Sequence, residues 1–226
     1  MVTQKSNILI KNIIKTMKKE QLVNPINKQI LLWKELIHFF TDKKCIIPKA
    51  PILSKKEINE GWQVALFFCL GTTQKDLEKT FHLSWKILQT TRKTWSSDNI
   101  FNSTRYKLSF NTPRLIAQNF YWKKIKISKQ YQGLSVLESR RLIRNNNVYI
   151  AGHEALQLLI INKIFSRKFN GITIPFLHLG GISLSNIKTS YDLDRSICLY
   201  TVGQWLVLDR LGIEYRIPWN NCILIK

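Results

Sequence analysis

Residues 72–95 read TTQKDLEKTFHLSWKILQTTRKTW. Thr73 can cap a helix, with Asp76 three positions on, where a carboxylate also favours the positive end of the helix dipole. Leu77 and Phe81 then share one side of that helix. His82 and Leu83 make a corner, and Ser84 stands as N-cap of a second helix running to Trp95. In that helix Leu88, Thr91 and Trp95 recur every three or four residues and face inward, while Lys86, Gln89, Thr90 and Lys93 face outward. The spacing predicts a helix-turn-helix, with the preceding helix, Trp62 to Leu70 within INEGWQVALFFCL, as its supporting third member and Gly71 ending that helix. Many such motifs carry a small residue where Glu78 stands and Gly where His82 stands. An unspecialised helical hairpin has the same apolar pattern, so the choice between them falls to the surroundings.

Charge dominates the surroundings. The 226 residues hold 35 Lys and Arg against 14 Asp and Glu, a formal net charge of +21. The net is +7 over residues 1–60, +9 over 61–132 and +5 over 133–226, and between Lys79 and Lys129 eleven bases face one acid, Asp98. A polyanionic partner follows from such an imbalance, although an AT-rich genome would also enrich Lys, Ile and Asn. Several Lys and Arg on one surface neutralise phosphates and release their counterions, so binding there weakens steeply with salt. On this reading Ser84, Lys86, Gln89, Thr90 and Lys93 are the groove-facing candidates for duplex DNA. Arg92, Arg105, Lys107, Arg114, Lys123, Lys124 and Lys126 are the phosphate candidates.

Outward from the motif, the chain reads as mainly α with minor β: a helix-turn-helix core, additional helices and a small C-terminal α/β region. Residues 1–53 form an N-terminal helical segment, in which Ile10, Ile13, Ile14 and Met17 mark an amphipathic basic helix. Within it Asn24 and Pro25 open a second helix that reaches Phe40. Residues 54–128 are the DNA-binding region, beginning at a capping box formed by Ser54 and Glu57. Residues 129–226 hold helices at 134–144 and 152–167, an irregular or weakly stranded connection at 171–184, and a helix containing LYTVGQWLVLDRL that stops at Gly212. Two short strands close this region, whose role is oligomerisation. A short extended piece is expected at Tyr106 to Phe110.

Leu70-Gly71, Leu77-Glu78, Leu83-Ser84, Leu88 and KLSFNT (107–112) resemble the C subunit of the bacterial flagellar master transcription activator and related mobile-element regulators, over residues 60–125. The resemblance implies a transcription activator that binds DNA as a hetero-oligomer with a D subunit. That family's C subunit has a four-cysteine zinc site, which this sequence lacks.

Cys45, Cys69, Cys198 and Cys222 stand far apart, with neither zinc spacing nor a disulfide framework, which reads as reduced thiols in a cytoplasmic protein. No apolar run approaches membrane-spanning length, and lysines interrupt any signal-peptide core. Catalytic candidates are few. His153 beside Glu154 reads as a polar pair at a helix start, Asp192 and Asp194 as helix caps, and Asp209 with Arg210 as an ion pair near a helix end. GGISLS (180–185) lacks the Lys-Ser/Thr of a phosphate loop.

The sequence-based expectation is therefore a non-enzymatic bacterial DNA-binding transcription regulator in the cytoplasm and nucleoid. It uses no cofactor and no metal, acts as a homo- or hetero-oligomer, and does not associate with membranes. An RNA-binding or ribosome-associated protein using the same surface, and an assembly protein with a compositional basic face, are the alternatives. The aromatics interleaved with lysines at 120–131 suit either a buried face or the stacking of single-stranded bases.

Overall fold

The structure is a computed structural model describing residues 25–38, 46–97, 100–101, 106–111, 119–143, 148–162, 168–169, 172–173, 176–186 and 195–226. The N-terminal amphipathic helix, Cys45, Asp98, Arg105, Arg114, Asp192 and Asp194 lie outside the described residues. Elements in chain order are α1 (Ile26–His38), α2 (Lys55–Asn59), β1 (Gln63–Phe68), α3 (Gln74–Thr91), β2 (Lys93–Ser96), β3 (Tyr106–Phe110), β4 (Phe120–Ile127) and α4 (Val136–Leu142). They continue with β5 (Tyr149–Ile150), α5 (His153–Asn162), β6 (Lys168–Phe169), β7 (Ile172–Thr173), β8 (Phe176–Asn186), β9 (Arg195–Val202), β10 (Trp205–Gly212), β11 (Asn220–Asn221) and β12 (Ile223–Ile225).

This corrects the mainly α expectation. The chain is mixed α/β, built on two sheets, one of which forms a half-barrel. The first sheet has the order β1-β4-β12-β5. The second has the order β11-β8-β9-β10-β2, with β3 pairing to the far half of β8, and β6 and β7 form a small hairpin of their own.

Three sequence readings fail for identifiable reasons. The helix-turn-helix is one continuous helix, α3, capped at Thr73 by a full box with Asp76. Neither Gly nor Pro stands at 82–83 to break it, and Leu77, Phe81, Trp85 and Leu88 form one unbroken buried stripe across the expected corner. Ser84 caps nothing. It is buried, and its hydroxyl donates to the Thr80 carbonyl one turn back, 2.8 Å away. The helix stops where Thr90 and Thr91 turn their hydroxyls onto the Ile87 and Leu88 carbonyls and Arg92 becomes extended (φ −140°).

The supporting helix is also absent: α2 ends at Asn59, Gly61 follows at φ +83°, and VALFF enters β1. LYTVGQWLVLDRL is a β-hairpin. Val202 pairs with Trp205 across Gly203 (φ +56°) and Gln204, a two-residue turn that needs a residue tolerating positive φ. Of the connection at 171–184, expected to be irregular or weakly stranded, residues 172–173 and 176–184 are strand, in β7 and β8. Other expectations hold: the capping box at Ser54 and Glu57, the strand at Tyr106 to Phe110, and helices within 134–144 and 152–167.

The core gathers around α5. Every residue from Ala151 to Ile161 is buried, polar ones included, as befits a helix enclosed on all sides. The two sheets meet at Gly180 and Gly181, where the β8–β9 ladder breaks between Leu179 and Leu184. The Gly181 N–H donates to Ala151 O (3.3 Å), and a Cβ on Gly181 would collide with Ile150 O and sit 2.9 Å from Gly152 N.

The outer edge of β1 is closed by side chains. Gln157 of α5 accepts from Phe68 N (2.9 Å) and donates to Phe68 O (2.7 Å). Gln29 accepts from Leu66 N and donates to Val64 O, and the Trp33 indole donates to Leu66 O (2.8 Å). Gln74 grips Phe110 N and O in the same manner. A primary amide carries the donor and the acceptor of a peptide group, so these glutamines stand in for a neighbouring strand.

Candidate nucleic-acid interface

The residues singled out in the sequence scatter over several surfaces. On α3, Lys86 and Gln89 are exposed, and with Lys75 and Lys79 they fall within one quadrant of the helix at 100° per residue. Thr90 is half-buried, with its hydroxyl donated to Ile87 O. Arg92 donates through Nη2 to Leu159 O (3.3 Å), so it ties α3 to α5. Lys107 is exposed on β3.

On β4 the three lysines are engaged differently. Lys124 forms an ion pair with Glu57 (2.7 Å), and Lys226 reaches the same carboxylate (3.4 Å). With the Lys124 ammonium and the Ser54 N–H beside it, the Glu57 carboxyl is held down at about 2. Lys123 lies over the Tyr149 ring and Lys126 over the Trp62 ring, each 5.7 Å from the centroid.

Lys93 lies elsewhere and leads to the feature that sequence reasoning missed. It opens β2, the edge strand of the second sheet, with its side chain on the outer face. Residues in register share a face, so one row runs Lys93, Trp205, Val202 and the next runs Trp95, Val207, Tyr200, Phe176. Residues of the opposite face, including Leu177, Leu199, Leu206 and Leu208, enter the main core.

The outer face is only partly covered. Val136 of α4 closes over Phe176, Cys198 and Leu211, and the Leu137 N–H donates to Ile213 O. Beyond α4, towards the β9–β10 turn, Trp95 remains 50% exposed, Trp205 48% and Val202 57%. Tyr200 stacks on Phe176 at 5.3 Å with 9° between the rings, and its hydroxyl donates to Asp209 (3.4 Å). Burial and the adjacent Asp209 push this phenol up. Tyr215 and Trp219, in the β10–β11 connection, are exposed as well.

Trp95 was expected to face inward by extending the helical period. Strand alternation turns it outward beside Lys93 instead. The available signal was TVGQW: a Gly-containing two-residue turn between β-branched and aromatic runs, which marks a hairpin with a tryptophan at its start.

The titratable clusters do other work. His153 and Glu154 begin α5 and are both fully buried. The Glu154 carboxylate accepts from Tyr149 OH and from Gly152 N, each at 3.0 Å, while His153 Nε2 meets Tyr121 OH at 2.9 Å, so the pair fastens β4 and β5 to α5. Ser139 and His178 meet at 3.4 Å between α4 and β8, both buried. Burial, with the Arg140 charge nearby, pushes the His178 imidazole down to about 3. Asp209 and Arg210 lie on a strand rather than a helix end, and the Arg210 guanidinium donates to Tyr106 OH (2.6 Å). Among the described residues no group of three His, Cys, Asp or Glu could hold a metal ion, and no helix is long and apolar enough to cross a membrane.

Comparison with family models, with curated proteins and with solved structures finds no match for this chain. Of the positions quoted for the resemblance, Leu77-Glu78, Leu83-Ser84 and Leu88 lie on α3, residues 107–110 lie on β3, and Leu70-Gly71 lies in the loop before α3.

Proposed function

We propose that this protein binds single-stranded nucleic acid on the outer face of its second sheet, with bases stacked on Trp95 and Trp205 and phosphate held by Lys93. The observation that carries the reading is the pair of half-exposed tryptophans beside a lysine on a sheet whose other face is core. An indole left half in water on a rigid strand forgoes burial that a packed side chain would have, and such exposed aromatic patches serve binding. Every base has a π-face, so a flat aromatic platform takes single strands with little regard to sequence, and the excess of +21 supplies the electrostatic attraction.

Duplex DNA binding is the second reading. It is favoured by the lysine stripe of α3, Lys75, Lys79 and Lys86, which is straight and solvent-facing. Fluorescence anisotropy with a poly-uridine strand and a duplex of equal length, across a salt series, separates the two. The first reading expects tighter binding of the single strand, and about tenfold weakening for Trp95→Ala or Trp205→Ala with the salt slope unchanged. Equal or stronger duplex binding, insensitive to both tryptophan substitutions but lost with Lys79→Ala and Lys86→Ala together, supports the second and overturns the first.

A further inference from the structure

A second feature, independent of the aromatic face, lies at the end of the first sheet. Lys124 and Lys126 sit two residues apart on β4 and share one face of the sheet. Lys124 is neutralised by Glu57, whereas among the described residues Lys126 has no carboxylate within ion-pair distance. Its ammonium instead stands over the Trp62 ring at the wall of a cavity of about 230 Å³. Tyr131, Ile143 and Leu224 supply apolar wall, and Ser128 and Gln130 also line the space.

The chemistry of the walls selects the ligand. A single ammonium without a carboxylate partner, set against an aromatic wall, attracts one negative charge. Glu60 also lines the cavity, where it accepts from the Trp62 indole N–H (3.1 Å) and lies 4.0 Å from Lys56. A phosphate monoester, with about −1.5 to −2 charges, would bring more charge than one lysine offsets and would face that carboxylate. The apolar half of the lining is left for a hydrocarbon ring, and the volume suits one ring rather than several.

We propose that the cavity walled by Trp62, Lys126 and Tyr131 is a binding site for a small planar monocarboxylate, with the carboxylate on the Lys126 ammonium and its ring among Ile143, Tyr131 and Leu224. The binding is non-covalent and reversible. Isothermal titration of the full chain with benzoate tests it, with inorganic phosphate as the rival anion and Lys107→Gln as a charge-matched control on an exposed strand position. The expected result is saturable one-to-one binding of benzoate that weakens about tenfold in Lys126→Gln, is retained in Lys126→Arg, and is unchanged in Lys107→Gln. Thermal melting of each variant establishes that the fold is intact. Heats that never saturate, equal affinity in Lys126→Gln and the parent chain, or tighter binding of phosphate than of benzoate would each overturn the assignment.

Discussion

Replacing Gln157 with Leu keeps the volume of the side chain and removes both of its hydrogen-bonding groups. In the native chain that amide meets Phe68 N at 2.9 Å and Phe68 O at 2.7 Å, and Gln157 and Phe68 are both buried. After substitution the N–H and C=O of Phe68 keep their place at the edge of β1 with no strand beside them. A buried backbone group left without a partner costs about 1–3 kcal/mol, so two of them set an expected loss of about 3 kcal/mol once partial relaxation is allowed. For a chain of this size that corresponds to a fall in Tm of about 6–12 °C. Urea unfolding followed by circular dichroism reads the free energy directly. The m-value should not change, because the same surface is exposed on unfolding. Gln132→Leu, at an exposed position in a turn, is the control and should stay within about 0.5 kcal/mol of the parent. If Gln157→Leu costs no more than that control, the glutamine does not complete the sheet and the account of the β1 edge is wrong.

Three further outcomes follow from the same kind of reasoning. Gly181→Ala should destabilise by about 3 kcal/mol in thermal or urea melts, because its Cβ meets backbone atoms of Ile150 and Gly152 rather than a flexible side chain; Gly212→Ala, where a Cβ meets nothing, should be near neutral. The His178 ring takes up a proton only near pH 3 in the fold but at its ordinary 6.5 when unfolded, so between those values the unfolded chain binds more protons and stability falls as pH drops. The slope due to this group is on the order of 1.4 kcal/mol per pH unit below 6.5, and an acid titration in which His178→Phe has the same slope as the parent would refute it. Cys69, Cys198 and Cys222 are buried with their thiols pushed up by burial, Cys198 to about 12. Site-resolved alkylation at mildly alkaline pH should leave all three unmodified in the folded chain and label them after denaturation.

Local signals were the legible part of this sequence. Ser54 with Glu57 and Thr73 with Asp76 announce helix starts because a capping box is satisfied within four residues. Tyr106 to Phe110 alternates buried and outward positions as a strand should. What escaped was set by partners distant in the chain. The apolar positions of LYTVGQWLVLDRL fit a helical face and a hairpin equally, and only pairing with β8 and β2 decides between them. Likewise Lys93 and Trp95 continue the helical pattern of α3 in sequence, yet they are held as a strand by β10, more than a hundred residues later. The candidate site was invisible for that reason: its rows are assembled from four strands, three of them consecutive at 176–212 and the fourth, β2, which brings Lys93 and Trp95, far earlier at 93–96.

The position of β12 governs how the molecule is made. Residues 223–225 lie inside the first sheet, bonded to β4 on one side and β5 on the other, and Lys226 continues the ladder by exchanging N–H···O bonds with Lys124. During synthesis β4 and β5 therefore leave the ribosome long before the strand that joins them. Closing so large a loop is slow, and until it closes β4 offers an unpaired edge to any passing strand. A nascent chain halted a few residues short of Ile223 would lack the centre of a sheet rather than a dispensable tail, so premature termination here should yield aggregation instead of a slightly shortened protein.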